Sequence, residues 1–137
     1  MAWYDEYGAA WNAHDPEAVV AFMTDDAVYE DMALGKRSEG HEQIKAFVDQ
    51  VTGGLSSHVE FEYPDPISVT DDAYALEWIL RGVHDRASDI LPASGKPFEI
   101  HGVSVGRIRD GKIVWNRDYW SMGEFLTQIG ILPPITV

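Results

Sequence analysis

Residues 113–125, IVWNRDYWSMGEF, set an aspartate in the middle of a run of strand-forming residues. Valine, tryptophan and tyrosine favour a pleated sheet, whereas aspartate is depleted from strand interiors. An ionised carboxylate among aromatic rings is costly unless something compensates it. Asp118 therefore either faces water on an open sheet face or occupies a pocket for a reason. Side chains alternate along a strand, so Asp118 shares a face with Asn116 and Trp120, while Trp115, Arg117 and Tyr119 take the other. Large aromatics on both faces predict that neither is simply solvated.

Moving outward, Asp110-Gly111 is a hairpin signal that joins FEIHGVSVGRIR (98–109) to KIVWNRDYW (112–120). Two more strands are predicted from HVEFEY (58–63) and AYALEWILRGVHD (73–85). On the second, Glu77, Ile79 and Arg81 lie on one face, with Trp78 and Leu80 on the other. After the decisive stretch, Ser121 and Glu124 form a capping box for a last helix, and Gly130 stops it before Pro133.

The first third of the chain reads as helices. Trp3, Tyr7 and Trp11, four residues apart, make one aromatic stripe. In DPEAVVAFM (15–23), Asp15 caps a second helix, Pro16 suits its first turn, and Val19, Phe22 and Met23 point inward. AVYED (27–31) is a short strand, with Tyr29 and Asp31 on one face and Val28 and Glu30 opposite. A turn through GKRSEG leads to a third helix over HEQIKAFVDQV (41–51). Helices followed by a run of strands predict an α+β fold: a cone-shaped, curved antiparallel sheet with the N-terminal helices packed over a central pocket.

At 137 residues, 45% apolar and 24% charged, residues 1–137 are read as one globular domain. Ten Lys and Arg stand against 23 Asp and Glu, a net charge of −13. Nucleic acid and anionic membrane both need a basic face, so neither is expected as a partner. No apolar run spans a bilayer and no basic-then-apolar leader opens the chain, which makes a soluble, cytoplasmic protein the expectation. The chain has no cysteine, and its five histidines lack metal-ligand spacing; His84-Asp85 is a weak pair, and no metal is expected. There is no glycine-rich phosphate loop, HExxH or GxSxG motif.

Each polar candidate has a plain structural reading beside the functional one. Arg117 with Asp118, or Glu77 with Arg81, could be ordinary ion pairs of a sheet surface, and Tyr7 could be a core aromatic with a satisfied hydroxyl.

Two longer stretches, EYGAAWNAHDPEAVVAFMTDDAVYEDM (6–32) and VGRIRDGKIVWNRDYWSMGEFLTQIGILP (105–133), resemble SnoaL-like members of the nuclear transport factor 2-like superfamily. The DGKI turn, RDYW strand and LTQIG helix together are similar to polyketide cyclases and limonene-epoxide hydrolases. The resemblance implies that Asp118 is the acid/base aspartate of the cyclases, or the aspartate that activates water in the hydrolases. It assigns Tyr29 and Asp31 to holding that water. It also matches Asp31 to the proton-shuttling base of ketosteroid isomerases, and Tyr7 to their oxyanion tyrosine. Some family positions are filled differently: Ser104 stands where the isomerases have a second oxyanion donor, and Gly102 and Ser104 where the cyclases have a glutamine and a histidine. The hydrolases' Arg-x-Asp pair meets Glu77-Trp78-Ile79, with Arg81 two residues beyond.

The implied site then brings Asp118, Asp31, Tyr29, Tyr7 and Glu77 into an apolar pocket lined by Trp11, Phe22, Phe47 and Trp120, with Asn116 and Arg81 beside them. Carboxylates crowded in a dry site divide into acid and base. The implied chemistry is proton transfer on a small hydrophobic carbonyl compound, giving cyclisation, isomerisation or dehydration without a cofactor. Epoxide hydrolysis is the alternative, with Glu77 as the acid. A third is non-catalytic: a lipophilic-ligand-binding or dimerisation domain. The resemblance further implies a homodimer formed through Trp115, Arg117 and Tyr119.

Overall fold

The computed structural model describes residues 2–134 and 136. The aromatic stripe forms α1 (Trp3–Asn12), with Tyr7 and Trp11 buried and Trp3 packed on Tyr74. Asp15 caps α2 (Pro16–Val20) by accepting from the Ala18 N–H. The chain then enters β1 (Met23–Asp31), β2 (Lys36–Glu39) and α3 (Gly40–Gly53). Next come β3 (Val59–Glu62), β4 (Ser68–Val69) and β5 (Ala73–Val83). The long hairpin of β6 (Pro97–Arg109) and β7 (Lys112–Trp120) precedes α4 (Met122–Gln128).

Asp110 and Gly111 both take positive φ, 53° and 75°, the left-handed pair that a two-residue hairpin turn requires. Ser121 accepts from the Glu124 N–H at the start of α4. At its end, Gly130 has φ +85°, and the Gly130 and Ile131 amides bond back to the Thr127 and Leu126 carbonyls. No helix among the described residues is long and apolar enough to cross a membrane.

The strands form one curved, open sheet in the order β2-β1-β7-β6-β5-β3, with β4 on β5. It differs from the expected all-antiparallel sheet at one seam, where β1 and β7 run parallel. That seam aligns Tyr29 with Asn116 and Asp31 with Asp118. GKRSEG, read as a turn, contains β2, bracketed by Gly35 and Gly40 at φ +63° and +78°. A four-residue edge strand with three charges carries no apolar alternation, which is how sheet edges avoid unwanted pairing. The second helix stops at Val20, and Met23 is already in β1.

The inner face of the sheet packs under the helices in two apolar clusters. One joins α1, α2 and α3 through Trp11, Val19, Ile44 and Phe47; the other gathers Trp78, Phe98, Ile100 and Phe125. On β6, Gly102 and Gly106 leave room for rings from β5. A Cβ at Gly106 would lie 2.2 Å from Tyr74, and one at Gly102 would lie 2.3 Å from Trp78.

Gly106→Ala should therefore cost on the order of 2 kcal/mol or more of stability through overpacking. Gly111→Ala, with open space but positive φ, should cost about 1 kcal/mol. Urea denaturation compares the two, and equal costs would mean that the Tyr74 ring moves aside freely.

Candidate active site

The concave face of the sheet encloses a cavity of about 680 Å³. Its wall is apolar along most of its length, with Leu55, Leu80, Phe98, Ile100, Phe125 and Leu126 among its members. Tyr7, Tyr29, Asp31, Ser104 and Asp118 add polar groups to it. Ile90 on the β5–β6 loop, Leu34 after β1 and Ile131 after α4 also line it, although they are 87%, 45% and 48% exposed.

Asp118 is 5% exposed, on the same face of β7 as Asn116 and Trp120. Its Oδ1 accepts from Ser104 Oγ at 2.5 Å and from Asn116 Nδ2 at 2.9 Å. Its Oδ2 accepts from the Tyr29 hydroxyl at 2.5 Å. Burial pushes this carboxyl up from its ordinary 3.8 to about 6; the three donors restrain the rise and the nearby Asp31 adds to it. Asp31, beside it across the parallel seam, accepts from Trp120 Nε1 at 2.9 Å and from the Leu34 amide at 2.9 Å.

Burial holds the Tyr7 and Tyr29 phenols above their ordinary range, and the Asp118 carboxylate pushes both further up. Both are protonated donors at neutral pH. Tyr29 spends its proton on Asp118. The buried Tyr7 hydroxyl finds no acceptor for its proton among the described residues, the nearby Trp11 indole being a donor only, and Tyr7 lines the cavity. An unpaired donor near a carboxylate of raised proton affinity is the arrangement that polarises a carbonyl and removes a neighbouring proton.

Of the residues the resemblance gathered, Asp118, Asp31, Tyr29, Tyr7, Trp11, Phe47 and Trp120 all line this cavity. Four others do not. Glu77 is exposed on the opposite face of β5 from Trp78, at a separate small pocket beside Asp5 and Asp65. Arg81 lies on that outer face too, paired with Glu62 at 2.8 Å and Glu99 at 2.7 Å. Strand alternation excludes both from a cavity that receives Leu76, Trp78 and Leu80. Phe22 sits behind Tyr7, ring to edge at 5.5 Å, because α2 ends before it and the chain turns into β1. Asn116 is fully enclosed between Tyr74 and Asp118 and supports the site without lining it.

Among the cavity residues that sequence reasoning did not assign are Ser104, Tyr63 and Trp78. Ser104 was legible only as a departure from relatives; its alternation between Gly102 and Gly106 on β6 was the available signal. Among the described residues, no group of three or more His, Asp or Glu is arranged to hold a metal ion.

The curved open sheet under N-terminal helices is a fold this chain shares with a solved structure described as nuclear transport factor 2-like, from Burkholderia thailandensis. The chain belongs to the SnoaL-like domain family, whose profile matches residues 4–116. That match ends two residues before Asp118. A comparison with curated proteins finds none that matches.

Solved structures similar in fold include a protein with a ketosteroid isomerase-like fold from Catenulispora acidiphila, in complex with trimethylamine. It is 23% identical with TM-score 0.79, over 94% of this chain and 92% of that one. A proposed polyketide cyclase from Xanthomonas campestris is 23% identical with TM-score 0.78, over 93% of each chain. IdmH, a proposed polyketide cyclase from Streptomyces antibioticus, is 24% identical with TM-score 0.76, over 93% and 95%.

The raised carboxyl carries a stability consequence. The folded state favours protonated Asp118, so its favourable contribution is complete below 3.8 and is lost as pH rises through about 6. The gap corresponds to on the order of 3 kcal/mol at most. In Asp118→Asn the amide oxygen can still accept from Ser104 and Asn116, and the Tyr29 hydroxyl can rotate to accept from the amide. This variant should be about 1–2 kcal/mol more stable than wild type at pH 8 and lose that advantage near pH 4. Denaturation at the two pH values measures it, and a pH-independent difference would show that the carboxylate carries no desolvation cost.

Proposed function

We propose that this protein is a cofactor-independent acid–base enzyme acting on a small hydrophobic carbonyl compound. The observation that carries the reading is the pairing of two groups on one apolar cavity: a buried, raised Asp118 carboxyl and the unpartnered Tyr7 hydroxyl. Asp118 takes the proton alpha to the substrate carbonyl. The C–H electron pair becomes an enolate, and Tyr7 donates a hydrogen bond to its oxygen. The enolate then attacks an internal electrophile whose oxygen takes the proton from Asp118, is reprotonated by Asp118 at another carbon, or expels a beta hydroxyl that leaves as water with that proton; these are cyclisation, isomerisation and dehydration. Asp31 keeps the second carboxylate at the site and favours the protonated form of Asp118. Cavity volume and wall chemistry suit a polyketide-, steroid- or terpenoid-like skeleton.

Epoxide hydrolysis fares less well, because Glu77, the acid assigned to it, faces away from the cavity. The non-catalytic reading is an outcome of the same experiment: turnover of hydrophobic ketones, polyketide-like esters and epoxides, followed by mass spectrometry alongside thermal-shift binding. For a turned-over ketone, kcat/KM should rise with pH through about 6 and level off above it, as Asp118 ionises. Asp118→Asn should lower it by roughly 10²–10⁴-fold, and Tyr7→Phe by roughly 10²-fold. Undiminished turnover in Asp118→Asn removes the proposed base, and binding without turnover in either protein makes this a carrier.

We also propose that two copies pair through the outer face of the sheet. The half-buried Ile79, Val103, Val105 and Trp115 form an apolar strip there beside Tyr119, which is 44% exposed. Within one chain, Trp115 Nε1 and Arg117 both bond to Glu30, and the Arg117 guanidinium stacks 4.9 Å from the Trp115 ring. In sedimentation, wild type should run as a dimer and Trp115→Arg as a monomer. A monomeric wild type, or an intact dimer in the variant, rejects this surface.

A further inference from the structure

Behind Asp118 stand two aromatic residues that do not touch it. Trp78, on β5, donates its indole N–H to Ser104 Oγ at 3.0 Å. Tyr74, on the same strand, donates its hydroxyl to Asn116 Oδ1 at 2.6 Å. An indole nitrogen can only donate, so Ser104 meets it with a lone pair and keeps its own proton for Asp118 Oδ1. Tyr74 occupies the Asn116 carbonyl, which turns the amide NH2 toward the same Oδ1. A free serine hydroxyl could present either polarity and beside the indole it cannot, while Asn116, with its NH2 on the carboxylate, has its carbonyl capped by Tyr74.

The sheet register builds both arms alike. Trp78 lies opposite Gly102 and Tyr74 opposite Gly106, and a Cβ at either glycine would collide with the ring. Between the glycines, Ser104 pairs with Asp118, and Gly106 pairs with Asn116. All four relay side chains are buried, so water does not compete for their hydrogen bonds. Oδ1 thus holds two fixed donors, and Oδ2, with Tyr29 alone, is the oxygen left to take a proton.

We propose that Trp78 and Tyr74 are positioning residues: through Ser104 and Asn116 they fix two donors on Asp118 Oδ1 and so set how readily Asp118 gives up and takes a proton. The proposal rests on Asp118 being the base, and its importance for turnover goes with that reading. Other titratable groups near Asp118 are Tyr7 on α1, Tyr29 and Asp31 on β1, Tyr63 after β3 and Tyr74 itself. Among the described residues Ser104 Oγ bonds to Trp78 and Asp118 and to none of these groups, so the hydrogen-bonded route from Trp78 to Asp118 runs through the serine.

The test reads Asp118 directly, by ¹³C NMR titration of protein labelled at the aspartate carboxyls, its resonance identified by loss in Asp118→Asn. Trp78→Phe and Tyr74→Phe each keep a ring over the glycine and remove one donor. Each should raise the Asp118 midpoint by roughly half to one pH unit. Ser104→Ala should raise it too, and adding Trp78→Phe to Ser104→Ala should move it no further.

An unchanged midpoint in the two single variants, or additive shifts in the double variant, overturns the proposal whatever turnover does. If Trp78→Phe loses its near-ultraviolet dichroism, Tyr74→Phe decides alone, with Tyr74→Phe in an Asn116→Ala background as its double variant. The pH limb of kcat/KM should follow the NMR midpoint. If the midpoint moves and the limb does not, the relays stand and the assignment of Asp118 as base falls.

Discussion

The candidate site turns on one buried carboxylate. Asp118 sits in the middle of a sheet, and burial drives its proton affinity upward. Three neutral donors, from β1, β6 and its own strand, make the site tolerable without neutralising it. No cation reaches Asp118 among its described partners. A guanidinium in their place would hold the carboxyl low and unreactive; hydroxyl and amide groups leave it between a spectator anion and a neutral acid.

The two faces of the sheet solve different problems. Inward, glycines alternate with Ser104 on β6 so that rings and a hydroxyl share a crowded layer. Outward, ion pairs such as Arg81 with Glu62 and Glu99, and Arg117 with Glu30, absorb charge at the surface. The exposed Arg81 pairs contribute little stability, so their placement matters more than their number. They keep guanidinium groups out of the cavity that Asp118 faces.

Much of this was legible in the chain. Period-two alternation grouped Asp118 with Asn116 and Trp120, and Tyr29 with Asp31, the family resemblance turned those faces inward, and capping and turn chemistry located Asp15, Ser121 and Asp110-Gly111. What was not legible is tertiary. No local pattern reveals that β1 pairs in parallel with a strand some ninety residues away, as the 89-residue separation of Tyr29 and Asp118 requires. β2 carries no apolar signal at all. Glu77 and Arg81 entered the site by analogy of position, against the alternation that already placed them opposite Trp78. Ser104 is small and polar, and only its neighbours make it a donor.

The parallel seam has a consequence for how the molecule comes into being. The polar end of the cavity is stitched from Tyr7, Tyr29 and Asp31 near the start of the chain and from Ser104 and Asp118 near its end. Contacts of such long sequence separation form late and slowly. During synthesis α1 and β1 leave the ribosome well before β7, the strand that pairs with β1. Until β3 and β5 follow, Trp11 and Trp3 lack the Phe61 and Tyr74 rings they pack against, and the nascent chain is exposed to aggregation in that interval. The candidate site is complete only when β7 brings Asp118 beside Tyr29 and Asp31.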